Sequence, residues 1–206
     1  MAPRRVSGES VVLYEQIRNR LSDYAPQQLA LDYPEAAILV PVVDCGGEPG
    51  LILTQRAAHL KTHRGQVAFP GGKRDSGDAS LEHTALRETH EEIGLPGASV
   101  SVAGRLSQVM SLHRILVTPY VGVVEGKPEL QANPGEIDSI FTVPISFFME
   151  DDRLRTDTLG FQDHTLYVPC YQWGQYHIWG LSAVVLVDFL NAVYGAGIDL
   201  LEPPHE

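Results

Sequence analysis

A chain of 206 residues and 22.6 kDa has the size of one domain, and 44% hydrophobic against 20% charged residues is a balance that excludes wholesale disorder. Its 26 acidic and 15 basic residues leave a net charge of −11, which excludes nonspecific binding to nucleic acid or an anionic membrane, so any polyanionic ligand must be held locally. The longest apolar stretches, near residues 36–43 and 183–187, fall far short of the ~20 residues that cross a bilayer.

In chain order, Arg4 and Arg5 resemble the start of a signal peptide, but Ser7, Gly8, Glu9 and Ser10 stand where its apolar region must begin. A cytoplasmic protein is expected. Val11, Tyr14, Ile17 and Leu21 recur at helical spacing and predict an amphipathic helix over about residues 10–21. The run 36–43 turns through Gly46, Gly47, Pro49 and Gly50 into 51–54, which predicts two strands. A third strand over 66–69 is stopped by Pro70-Gly71-Gly72, and a helix is expected from about 78 to 93, with Gly94 as its C-cap. Further strands are expected over 100–108, 115–124 and 137–143. A hairpin-like region follows, with strands at 165–168 and 176–179, and an apolar helix over 181–194 closes the chain. Strands interleaved with helices predict a single α/β (α+β) sandwich over 1–206. Cys45 and Cys170 lack metal-ligand spacing and are expected to be inert core thiols.

Arg87-Glu88-Thr89-His90-Glu91-Glu92-Ile93-Gly94-Leu95 carries the strongest signal. On a helix, Glu91 and Glu92 project about 60° to one side and about 40° to the other of Glu88, so three carboxylates share one arc. Like charges at these spacings, near the helix C-terminus, oppose both each other and the macrodipole. A hard divalent cation such as Mg²⁺ or Mn²⁺ resolves the conflict through oxygen ligands. Three glutamates alone fit a solvated acidic face equally well.

The flanking residues resemble the Nudix hydrolase family, whose box reads G-x(5)-E-x(7)-R-E-U-x-E-E-x-G-U, with U a bulky apolar residue. Gly72 opens the box, and Arg87-Glu88, Glu91-Glu92, Gly94 and Leu95 close it. The stretch from Gly72 to Arg87 is one residue longer than the general pattern, Asp78 stands where the first glutamate belongs, and Thr89 takes the first apolar position. Upstream, Leu51-Ile52-Leu53-Thr54-Gln55-Arg56-Ala57, Lys61, Gly65 and Phe69-Pro70-Gly71-Gly72 resemble the signature of the coenzyme A pyrophosphatase branch, in which the longer box is common. The resemblance covers about residues 35–185.

It implies a Nudix-type α/β/α sandwich with a mixed sheet and a catalytic helix over about 78–93. It implies Mg²⁺ or Mn²⁺ held by Glu88 and Glu92, with Glu91 sharing a second ion, and Arg87 orienting the carboxylates. The general base in this family is a box glutamate or one on a distant loop; Glu136 is the candidate for the latter and fits equally a plain loop acid after Pro134-Gly135. The implied substrate is coenzyme A or an acyl derivative, cut to 3′,5′-ADP and a 4′-phosphopantetheine species. Another dinucleotide such as NADH or ADP-ribose, or a nucleotide sensor without turnover, stays open, as does a homodimer.

Five of the fifteen basic residues, Arg56, Lys61, Arg64, Lys73 and Arg74, fall in one acid-free segment. That segment suits a polyphosphate, with Arg56, Lys61, Arg64, Gly71 and Gly72 as substrate contacts. Simple balance with acidic neighbours is the alternative. Gly180-Leu181-Ser182-Ala183-Val184 lacks the last glycine of a nucleophile elbow, so Ser182 is read as a packing or capping serine. His59 and His63, four apart, lack a third ligand. Tyr171, Trp173, Tyr176 and Trp179 fit either a core or a base-stacking platform.

Overall fold

The apolar run predicted at 36–43 forms the central strand β1 (Glu35–Asp44), whose alternating side chains divide the core in two. In the computed structural model, which describes residues 8–60, 64–161 and 164–204, Ala37, Leu39 and Val43 face one layer while Val40 and Val42 face the other. β1 follows α1 (Gly8–Ser22). After it come β2 (Pro49–Arg56), β3 (Val67–Ala68), β4 (Gly71–Lys73), α2 (Leu81–Ile93), β5 (Val100–Arg105), β6 (Val109–Met110) and β7 (Leu116–Val124). The chain ends with β8 (Ile137–Pro144), α3 (Ile145–Met149), β9 (Arg155–Phe161), β10 (His164–Trp173), β11 (Tyr176–Ile178) and α4 (Gly180–Phe189), which runs on to Tyr194 as a π-helical turn.

β7 lies parallel to β1, with β5 antiparallel beyond it. The other edge of β1 is shared: residues 42–44 pair with β2 and residues 36–38 pair with β4. β2 carries β8 on its far side and meets β3 at Thr54 and Gln55. α2 covers one face of this mixed sheet through Ala85 and Ile93, against Ala37, Leu39 and Ile52. On the opposite face Ile17 and Leu21 of α1 and Val185, Leu186 and Phe189 of α4 pack with Val40, Val42, Leu51 and Leu53. Each such side chain contributes about 1.5–3 kcal/mol on burial, so both layers are held by the strands they share. The expected α/β/α sandwich is the fold observed. Among the described residues no helix is long and apolar enough to cross a membrane.

Several boundaries differ from expectation for identifiable reasons. α2 begins at Leu81, not 78, because Ser80 is its N-cap and accepts the His83 amide at 3.1 Å, while Asp78 lies in the preceding turn. Gly94 caps the other end as expected, at φ 70°. The glycines read as a strand stop are themselves β4, recognisable only by pairing with β1. β9 was missed because its Arg-Thr-Asp-Thr start has no apolar alternation; it pairs with β10 in a small antiparallel sheet completed by β11. The short α3 was missed as well. Cys170 is buried, but Cys45 is only half-buried, because it sits in the turn that leaves β1.

Gly71 sets how closely β4 docks. It has φ 149°, and a Cβ there would lie 2.4 Å from the Ala37 carbonyl oxygen and 2.5 Å from Ile38 Cα. Backbone in a central strand cannot step aside. Gly71→Ala should therefore cost about 2–4 kcal/mol in urea unfolding. Gly126→Ala, at φ 67° with open space around it, should cost about 1 kcal/mol. A loss at Gly71 no greater than at Gly126 would show that the close approach is relaxed in solution.

Candidate active site

α2 lies across β4 with its acidic arc turned toward the two glycines, and this grades the three glutamates by exposure. Glu92 is only 3% exposed: its Oε2 accepts the Gly71 amide at 3.0 Å, and its Oε1 lies 3.3 Å from Arg56 Nη1. Glu88 is half-buried beneath Gly72, where a Cβ would fall 2.4 Å from its Cδ and 2.6 Å from each carboxylate oxygen. A side chain at this position would push that carboxylate out of the place it holds. Glu91, its side chain 54% exposed, meets Arg87 Nη1 at 3.0 Å. Thr89, at the apolar position of the box, is buried with its hydroxyl donated to the Ala85 carbonyl at 2.7 Å, so it packs as an apolar residue would.

Arg87 is fastened from outside the helix. Its Nε and Nη2 donate to Asp78 Oδ1 and Oδ2 at 2.9 and 3.0 Å, its Nη1 lies 3.1 Å from Glu88 Oε1, and Nη2 also reaches the Lys73 carbonyl at 3.2 Å. Asp78 further accepts the Thr84 hydroxyl and the Asp75 amide, each at 2.9 Å, and meets His83 Nδ1 at 3.0 Å. The paired guanidinium holds the Asp78 carboxyl far below the usual carboxylate range. The aspartate at the first-glutamate position thus spends its oxygens on Arg87 and the helix start. Sequence reasoning did not single out His83 or Thr84, which carry no signal until the 75–80 turn is folded.

Glu136 comes from the loop before β8. The loop before β8 is clipped to the end of α2, the Asn133 amide donating to the Glu92 carbonyl at 2.8 Å, and the Glu136 carbonyl accepts the Ala57 amide at 2.8 Å. Its carboxylate comes within electrostatic reach of both helix glutamates. Burial pushes Glu88 and Glu92 up, Glu92 to about 7, and the charge of Glu136 pushes each further, against the pull of Arg87 on Glu88 and of the Gly71 amide and Arg56 on Glu92.

The basic segment is not gathered as a unit. Arg56 reaches Glu92, and Arg74 pairs with Glu35 at 2.8 Å at the start of β1. Arg64 and Lys73 are exposed, with Arg64 Nε bonded to the Leu60 carbonyl at 2.7 Å. Lys61 and His63 lie outside the described residues, and His59 is exposed. Ser182 Oγ donates to the Val67 carbonyl at 2.9 Å, a packing serine as expected. Tyr171 is fully buried, Tyr176 stacks on Phe141, and Trp173 packs edge-on to Phe147, leaving Trp179 at 39% exposure.

Among the described residues no three His, Cys, Asp or Glu side chains form a preformed metal cage. The donors at hand are nevertheless all hard carboxylate oxygens, from Glu88, Glu91, Glu92 and Glu136. Burial, with the neighbouring carboxylates, pushes Glu88 and Glu92 toward the protonated form. That donor set fits Mg²⁺ or Mn²⁺ and not a soft metal.

The NUDIX domain model matches residues 32–158, the span that holds every site residue above. The chain is 41% identical over 171 residues to the uncharacterized Nudix hydrolase NudL of Photorhabdus laumondii, covering 82% of this chain and 89% of that one. It is 37% identical over 189 residues to NudL of Yersinia enterocolitica, covering 90% and 95%. A MutT/nudix family protein from Enterococcus faecalis shares the fold at a TM-score of 0.56 and 15% identity, over 94% of this chain and 76% of that one. The domain match and near full-length relatives agree with the carboxylate-bearing helix, and the chain belongs to the Nudix hydrolase family, enzymes that cleave diphosphate bonds.

Proposed function

We propose that this chain is a Mg²⁺- or Mn²⁺-dependent pyrophosphatase that cleaves the diphosphate of coenzyme A or an acyl derivative to 3′,5′-ADP and a 4′-phosphopantetheine species. The observation that carries the reading is the closure of two signatures on one carboxylate. Arg56 and Gly71, from the segment that resembles the coenzyme A branch, both contact Glu92 of the Nudix helix. Glu88 and Glu92 would hold the cation, with Glu91 beside them. When bound, that cation offsets charge on the diphosphate oxygens and acidifies water in the site. Arg87, anchored by Asp78, keeps Glu88 and Glu91 oriented. Glu136, within electrostatic reach of Glu88 and Glu92, would serve as the general base.

Glu88→Gln and Glu92→Gln should each lower kcat by at least about a hundredfold with the fold retained, since an amide is a poor ligand for a hard cation. Product analysis by mass spectrometry after incubation with coenzyme A and Mg²⁺ is the direct check. Turnover that survives either substitution at low metal concentration removes that residue from the site.

Cation binding should also depend on pH with a definite sign. Glu92 is held near 7 against an ordinary 4.5, so the fold favours its protonated form. The metal-free protein should lose about 3 kcal/mol of stability between pH 4.5 and 7, then level off. A cation must displace that proton, so its affinity should fall about tenfold per pH unit below 7. Calorimetry in buffers of different ionisation enthalpy should find about one proton released per ion at pH 6 and almost none at pH 8.5. Equal release at both would mean that Glu92 is not the group displaced.

Lys61 and Arg64 are proposed to read the 3′-phosphate that dephospho-coenzyme A lacks. Loss of such a contact costs about 1.5–3 kcal/mol, or roughly ten- to a hundredfold in kcat/KM. Arg64→Ala should impair hydrolysis of coenzyme A while sparing dephospho-coenzyme A. Equal losses on both substrates would assign Arg64 to the diphosphate or to the loop.

A further inference from the structure

Arg56 is oddly placed for a side chain meant to meet phosphate. Its Nη1 lies 3.3 Å from Glu92 Oε1, on the most buried carboxylate of the site, and its own side chain is 27% exposed. The backbone enforces this position. The Arg56 amide donates to the Gln66 carbonyl at 2.9 Å, its carbonyl accepts the Gly65 amide at 3.1 Å, and the following amide is tied to Glu136. The register with β8 slips between Gln55 and Arg56, so Arg56 stands opposite Ile137 instead of Asp138. Slips of this kind re-aim a side chain.

A carboxylate this buried needs a counter-charge. Arg87 is already committed to Asp78, Glu88 and Glu91, which leaves Arg56 as the cation in contact with Glu92 among the described residues. The two arginines differ in grip. Arg87 holds Asp78 through two bonds at 2.9 and 3.0 Å, whereas Arg56 makes one contact at 3.3 Å, longer than the usual charge-assisted bond. One is a fastening and the other is weak enough to exchange.

We propose that Arg56 is a displaceable counter-ion: its guanidinium neutralises Glu92 Oε1 in the metal-free protein and gives up that oxygen when the divalent cation enters. Entry of the metal and release of a guanidinium for the incoming phosphates are then one coupled event. The inference rests on the metal-dependent reading above, in which Glu92 is a ligand. It also gives Arg56→Met an unusual sign, since a residue that helped to build the metal site would weaken binding when lost, whereas a competitor strengthens it.

The test is Mg²⁺ calorimetry at pH 9 without substrate, where Glu92 is ionised and proton competition drops out. Arg56→Met should bind Mg²⁺ about tenfold tighter than the unaltered protein. Arg18→Met, with the same charge change at an exposed position on α1, across the sheet from α2, should differ by less than about twofold. In the unaltered protein, the ¹⁵N guanidinium resonance of Arg56 should shift on Mg²⁺ saturation, a readout that needs no variant to fold. Unchanged or weaker affinity in Arg56→Met, or a guanidinium signal indifferent to Mg²⁺, overturns the proposal while Glu92→Gln still abolishes binding. If Glu92→Gln binds Mg²⁺ normally, the cation is not at Glu92, and the metal-site assignment falls with the proposal.

Discussion

The site depends on one electrostatic conflict, the burial of the Glu92 carboxylate beneath a strand of glycines. A carboxylate that is 3% exposed is stable there only with donors and positive charge at hand, and the fold supplies one of each, the Gly71 amide and the Arg56 guanidinium. Neither satisfies it fully. The same burial strengthens every charge interaction of this carboxylate, since Coulombic attraction grows as water is excluded. The helix therefore carries a cost that a solvated acidic face would avoid.

How the strands are shared explains why the carboxylates meet there at all. β1 divides one edge between β2 and β4, so both the hairpin strand and the glycine strand lie beside the same helix. The end of β2 presents Arg56, β4 presents the Gly71 amide and the space above Gly72, and the pairing of β2 with β8 brings Glu136 within electrostatic reach of Glu88 and Glu92. Three segments distant in sequence thus converge through backbone pairing alone. Side-chain chemistry has only to fill positions that the sheet has fixed, which confines errors of placement to rotamers.

Much of this was legible in the sequence. The apolar run 36–43 reads as a strand, and the glutamate spacing on α2 gives the acidic arc without reference to any other segment. What could not be read was whatever depends on pairing between distant segments. β4 is three residues, two of them glycine, with no periodicity to betray it. The grading from Glu92 to Glu91 follows from which side of the arc lies under β4, and equal spacing contains no such information. The basic segment misled in a different way: five cations adjacent in sequence predicted one patch, yet the folded chain sends Arg56 inward to Glu92 and Arg74 to Glu35. Charge counted along a chain does not say which charges are already spoken for.

The departure at Asp78 follows the same logic. Aspartate is one methylene shorter than the glutamate of the general box, and the stretch from Gly72 to Arg87 is one residue longer, yet the Asp78 carboxylate meets the Arg87 guanidinium through two bonds. The Thr84 hydroxyl, the Asp75 amide and the His83 ring all reach the same carboxylate. Asp78 is thereby tied both to the helix start and to Arg87 in mid-helix, bracing the turn of α2 that presents Glu88 and Glu91. The acidic helix is thus braced by several contacts on its Arg87 flank and by a single longer contact to Arg56 on the other.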